Sequence, residues 1–106
     1  MKQDHVHSAI HKASLETSRF VSAHLRSEAH ASNWPAHVTN SLHATYNKDE
    51  GFEAKVHSSH HAEALEHEYG TTSRQPSAAV RRVSNRTSEA ETFFAGRVFR
   101  HLEDLL

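Results

Sequence analysis

The apolar residues of this 106-residue chain change period partway along it, and that change limits the folds open to it. Over residues 4–31, Val6, Ile10, Ala13, Thr17, Phe20 and His24 recur at helical spacing, with Val21 and Leu25 widening the stripe. The spacing predicts one long amphipathic helix with Asp4 as its N-cap. Asn33-Trp34-Pro35 is expected to end it, because proline disfavours helical geometry in the residue before it. From His37 to Tyr46 the apolar residues alternate instead. Val38, Leu42, Ala44 and Tyr46 share one face, interrupted by Asn40, while Thr39, Ser41, His43 and Thr45 point the other way. Asn47-Lys48-Asp49-Glu50-Gly51 is rich in turn formers, and Phe52, Ala54 and Val56 then alternate with Glu53, Lys55 and His57. This is the pattern of a β-hairpin.

A short helix is expected from about His61 to Glu68, closed by Tyr69-Gly70 with the glycine left-handed past the helix end. Thr71 to Gln75 reads as a polar loop. Pro76 then opens a short helix or an extended segment holding Val80 and Val83. Ser88-Glu89-Ala90-Glu91 has the pattern of a capping box. It heads a helix with Phe94, Val98, His101, Leu102 and Leu105 on one face, and Phe99 and Leu106 beside it. The expected fold class is α+β in a single domain, residues 1–106. It comprises a long N-terminal helix, a hairpin-based small antiparallel sheet, a short helix and a C-terminal helix, the two amphipathic helices packing on the sheet.

Composition narrows the function classes. Leu, Ile, Val and Phe total only 20 residues, a thin core for a free-standing chain and one that partner subunits would help to complete. No apolar run approaches the roughly 18 residues of a membrane span, so no membrane partner is expected. The segment Met1–His5 lacks the apolar core of a signal peptide. Without cysteine there is no disulfide, zinc–thiolate cage, iron–sulfur ligand or thiol nucleophile. Twelve basic against 13 acidic residues, a net charge of -1, argue against sequence-independent nucleic-acid binding. Twelve histidines mean that full protonation would carry the net charge to about +11.

Those histidines are the first candidates for chemistry. His7 and His11 lie four apart on the first helix with His5 close by, and His57, His60 and His61 cluster after the hairpin. Such groups can bind zinc, copper or nickel. However, no His-Glu-x-x-His helix is present, since Thr71 stands where the second histidine of His67-Glu68 would fall. Solvated or interface histidines are the simpler account, so no metal and no cofactor is expected. No serine sits in a Gly-x-Ser-x-Gly turn, no Gly-rich phosphate loop exists, and the carboxylate pairs Glu63/Glu66 and Glu103/Asp104 read as solvated helix faces. The chain is therefore not expected to be an enzyme. Arg74, Arg81, Arg82 and Arg86 form a basic strip that can touch phosphates or face another subunit.

Ala64 to Pro76 carries the most specific pattern. A short helix ends in an acidic residue, an aromatic, glycine and threonine (Glu68-Tyr69-Gly70-Thr71), and a polar loop leads to Gln75-Pro76. This resembles the signature of the small tail-completion or head–tail joining (neck) proteins of long-tailed bacteriophages. The order of long helix, hairpin, motif and C-terminal helix matches over nearly the whole chain, and the motif itself over about a dozen residues. After the proline, that family usually shows an aromatic and then Leu/Met-Arg-Pro, whereas this chain has Ser77-Ala78-Ala79-Val80-Arg81-Arg82. The resemblance implies a virion structural protein assembled in the host cytoplasm. It implies a homo-oligomeric ring, typically a hexamer, that contacts other neck, tail-tube or connector proteins and lets DNA through its lumen. Glu68, Tyr69, Gly70, Thr71, Gln75, Pro76, Arg81 and Arg82 are the expected interface and motif residues. The alternative from the residues themselves is a histidine-rich metal-binding or pH-responsive module, and a third is a nucleic-acid binder using the arginine strip.

Overall fold

The computed structural model describes residues 3–70 and 79–104. Helix α1 (Gln3–Ala31) is followed by a short helix α2 (Ala36–Thr39) and the strands β1 (His43–Asn47) and β2 (Gly51–Lys55). A 3-10 turn (Ser58–His60) then leads into α3 (His61–Tyr69), and α4 (Ala79–Ser84) and α5 (Thr87–Glu103) complete the chain. The architecture is α+β, with the two strands forming one antiparallel sheet. No helix among the described residues is long and apolar enough to cross a membrane.

Helix α1 is the scaffold. Ala9, Ala13, Thr17, Val21, Leu25 and Ala29, each four residues after the last, are all buried. A step of four residues overshoots one turn by about 40°, so this seam winds around the helix and meets different partners along its length. Val21 and Leu25 pack with Ala44, Tyr46, Val83 and Ala90 in one cluster. Ala29 packs with Trp34, Val38, Leu42, Ala64 and Ala79 in a second, and Val80 touches both. Helix α5 runs antiparallel to α1: Phe20 stacks on Phe93 with ring centroids 4.3 Å apart, and Glu16 pairs with Arg97 and His101. Tyr46 meets Phe94 at 5.1 Å, so both long helices pack on the hairpin.

The hairpin is held to α1 by polar contacts as well as packing. Ser18 Oγ accepts the Tyr46 N–H at 2.9 Å, Ser22 Oγ accepts the Ala44 N–H at 2.8 Å, and Arg26 Nε donates to the Leu42 carbonyl at 2.9 Å. Both serine hydroxyls donate their protons to α1 carbonyls four residues back, which frees the oxygens to act as acceptors. Four residues of helix advance about 6.0 Å and two residues of strand about 6.6 Å, so the two repeats stay in step. The helix thus covers the β1 edge that β2 leaves unpaired, where an open edge would invite association.

The hairpin register pairs Ala44 with Ala54, Tyr46 with Phe52 and Asn47 with Gly51, leaving the three-residue loop 48–50. Asn47 Oδ1 accepts the N–H groups of Asp49 and Glu50, and Gly51 takes a positive φ of 79° to re-enter the strand. Ala44 and Tyr46 face inward while His43, Thr45 and Asn47 face solvent, as the alternation predicts.

Several local expectations are corrected. The strand begins at His43, not His37, because residues 36–39 form a helical turn whose first N–H groups, on Val38 and Thr39, bond to the Pro35 carbonyl. Val38 and Leu42 are buried, but their spacing of four fits a turn of helix as well as it fits alternation. α1 is stopped by Asn33, whose φ of 63° allows Trp34 N–H to reach the Ala29 carbonyl and Asn33 N–H the His30 carbonyl. Pro35 then opens the next turn rather than ending the previous one. Asp4 lies inside α1, whose first residue is Gln3, so it is not the N-cap. Ser88 lies in the first turn of α5, which begins at Thr87 and has no side-chain cap, because α4 leads into it through only residues 85–86.

The radius of gyration is 16.1 Å and the extents are 57 × 24 × 20 Å. A compact chain of this length would have a radius near 13 Å. The elongation follows from a scaffold helix that outruns the sheet it supports.

Replacing Ser22 by alanine leaves the Ala44 N–H buried without its acceptor. Urea denaturation should show a loss of about 1–3 kcal/mol. Ser14→Ala, whose hydroxyl bonds back to Ile10 within α1, should stay within roughly 0.5 kcal/mol of the parent.

Candidate functional site

Glu68 lies four residues after Ala64, on the inward face of α3, and is only 4% exposed. A buried carboxylate needs donors. It accepts the backbone N–H groups of Val80 at 2.9 Å and Arg81 at 3.0 Å, together with Arg81 Nε at 3.0 Å. The Arg81 guanidinium also donates to the Glu68 carbonyl at 2.6 Å and lies 4.8 Å over the Tyr69 ring. Glu68 therefore serves the first turn of α4 as a capping residue supplied from another helix, and Arg81 covers the end of α3 in return. This pair ties the end of α3 to the start of α4.

Gly70 closes α3 by donating its N–H to the Glu66 carbonyl at 2.8 Å. Its φ of 80° is positive as expected, but ψ is 178°, so it is extended rather than left-handed helical. That region is open almost solely to glycine.

The structure thus brings together Glu68, Tyr69, Gly70 and Arg81. Thr71, Gln75 and Pro76, with Arg74, lie outside the described residues. Arg82 points elsewhere: with Arg86 it grips Glu28 of α1, and it also reaches the Ser32 hydroxyl. Arg81, Arg82 and Arg86 are all engaged with carboxylates of the same chain, which weakens the reading of the strip as a phosphate surface. Arg82 and Arg86 hold the Glu28 carboxyl below its ordinary value, and His101 and then Arg97 do the same for Glu16.

Beside this latch, a groove of about 430 Å³ runs between β2 and α3. Trp34, Ala54, Val56, Leu65 and Tyr69 contribute its apolar lining. Leu65 and Tyr69 stand at its margin, 45% and 61% exposed. Two other large apolar side chains are exposed among the described residues, Leu15 on α1 and Phe99 on α5.

One group of three potential metal ligands occurs among the described residues: His37, His60 and Glu63, with donor atoms within 4.8 Å of one another. His37 Nε2 lies 2.8 Å from Glu63 Oε2, and this contact holds the Glu63 carboxyl below its ordinary value. The sequence singled out His60 but not His37, which lies 23 positions away on the other side of the hairpin. Its cluster mate His61 is exposed and outside the group, as are His5, His7 and His11 on α1.

No protein-family model, no curated protein and no solved structure matches this chain.

Glu68→Ala strips two N–H groups at the start of α4 and one guanidinium of their acceptor. It should cost roughly 2–3 kcal/mol in urea denaturation. Glu16 and Glu28 have depressed folded-state values, so their contribution is complete above the ordinary 4.5 and is lost as pH falls through the folded values. The thermal midpoint should drop on acidification below about pH 4.5, and Glu28→Gln should make that drop shallower.

Proposed function

We propose that this chain is a structural protein of the neck of a long-tailed bacteriophage, forming a ring that joins or terminates the tail at the head connector. On this reading it is not an enzyme and carries no cofactor for catalysis. Copies of the chain, six by the family resemblance, surround a lumen through which DNA passes without sequence-specific contacts, next to other neck, connector or tail-tube proteins of the virion.

The observation that carries the reading is the exposure of large apolar side chains at separate places on an elongated molecule. Leu65 and Tyr69 sit on α3, whose Ala64 packs with Ala29 at the C-terminal end of α1. Leu15 lies in the N-terminal half of α1, and Phe99 lies near the end of the antiparallel α5. Exposed apolar side chains at separate places on the surface favour a head-to-tail contact, which closes into a ring when the rotation allows. The Leu65 and Tyr69 pair adjoins β2, which has no strand on its outer side among the described residues. A neighbouring subunit would find backbone groups and an apolar groove together there. The Glu68-Tyr69-Gly70 helix end and the order of elements supply the link to neck proteins in particular.

Native mass spectrometry tests both the ring and its polarity. The parent chain should form a closed oligomer. Leu65→Glu and Phe99→Glu should each be monomeric alone, because each lacks one half of the contact. Mixed in equal amounts they should form a one-to-one dimer through their intact halves. A parent chain that stays monomeric at every concentration and is absent from phage particles would overturn the proposal, and variants that each still dimerise alone would overturn the head-to-tail contact.

A further inference from the structure

We propose that His37, His60 and Glu63 form a binding site for one divalent transition-metal ion, with zinc the ion of best fit. Two imidazoles and a carboxylate, with a fourth position left to water, are a recurrent zinc ligand set. The three side chains come from segments fixed by independent means. His37 is carried by α2, which is anchored by the fully buried Val38 beside it. His60 ends the 3-10 turn, and Glu63 follows in the first turn of α3, so the two share one side of that turn. The turn itself is set by His57, whose Nδ1 accepts the Ser59 N–H at 3.2 Å and lies 2.7 Å from the Ser59 hydroxyl.

Ligands about 2.0–2.1 Å from a tetrahedral ion lie roughly 3.3 Å from one another. The present spread, from the 2.8 Å His37–Glu63 contact to the 4.8 Å limit of the group, brackets that distance. Side-chain rotation alone can close the difference, since His37 is 54% exposed and Glu63 37%. The ion would replace the direct His37–Glu63 hydrogen bond and tie α2 to the start of α3. It would bind the folded chain in preference to the unfolded one and so raise its stability.

Twelve histidines guarantee some weak zinc binding, so the test must separate this group from the rest. Calorimetric titration of the full chain with zinc should give one saturable site with one ion per chain. His37→Gln and Glu63→Gln should each weaken it at least tenfold, while a combined His5→Gln, His7→Gln and His11→Gln variant should leave it unchanged. Cobalt(II) should give the intense visible band of a four-coordinate ion in the parent and lose it in His60→Gln. Circular dichroism would confirm that the variants are folded, and zinc should raise the thermal midpoint of the parent but not of His60→Gln. Binding that is only weak and multiple, or that survives His37→Gln and falls in the α1 variant, would overturn the proposal. Neither result bears on ring formation, which the patch variants test separately.

Discussion

The fold depends on the match between a four-residue repeat on α1 and a two-residue repeat on β1. Ser18, Ser22 and Arg26 meet Tyr46, Ala44 and Leu42 in antiparallel order. A two-stranded hairpin is marginal in water by itself. Here the helix takes the place of a third strand, accepting N–H groups that would otherwise be buried unpaired. Serine suits the task because its hydroxyl can donate to the helix four residues back while its oxygen receives the strand. Leucine at either position would add apolar area but remove the acceptor.

With the hairpin fixed on one flank, the C-terminal half of the chain closes the others. Its attachment combines small buried residues with charges. Ala79, Val83 and Ala90 approach closely enough to be buried, and two carboxylates of α1 are each held by two basic side chains, Glu28 by Arg82 of α4 and Arg86 of the link to α5, and Glu16 by Arg97 and His101 of α5. Partly exposed ion pairs of this kind contribute little individually. They do fix which way α4 and α5 lie on a scaffold that offers few large apolar side chains. A chain with so little aliphatic volume spreads along its longest helix instead of gathering around a centre, and the extents of 57 × 24 × 20 Å express that.

Much of this was legible in the residues and some was not, for physical reasons. The long helix, the hairpin with Ala44 and Tyr46 inward, and the order of elements all follow from apolar spacing. The turn at 36–39 was hidden because Val38 and Leu42 satisfy two periods at once. The serine ladder was hidden because hydroxyls at every fourth position look like a solvated helix flank until a strand lies on them. Glu68 was marked by its place in a motif, but its work as a cap for α4 depends on Val80 and Arg81, 12 and 13 positions later. His60 stood out only beside His57 and His61, and Glu63 only as a carboxylate beside Glu66, whereas His37 joins them because the chain turns back through the hairpin. Pairings across such separations leave no local pattern.

Helix α3 concentrates these long-range effects in nine residues. At about 100° per residue, Ala64 and Glu68 face the interior, Leu65 and Tyr69 lie to one side of them, and Glu63 lies to the other with His60. The inward face is the latch to α4, one flank is an apolar margin of the groove, and the other carries the histidine–carboxylate group. Because the latch sets the position of the whole helix, a change at Glu68 displaces both flanks together. A change at Leu65 or at Glu63 acts on one flank and leaves the helix seated. That separation follows from helical geometry alone, and it lets the proposed association through one flank and the proposed ion binding on the other vary independently within the same short segment.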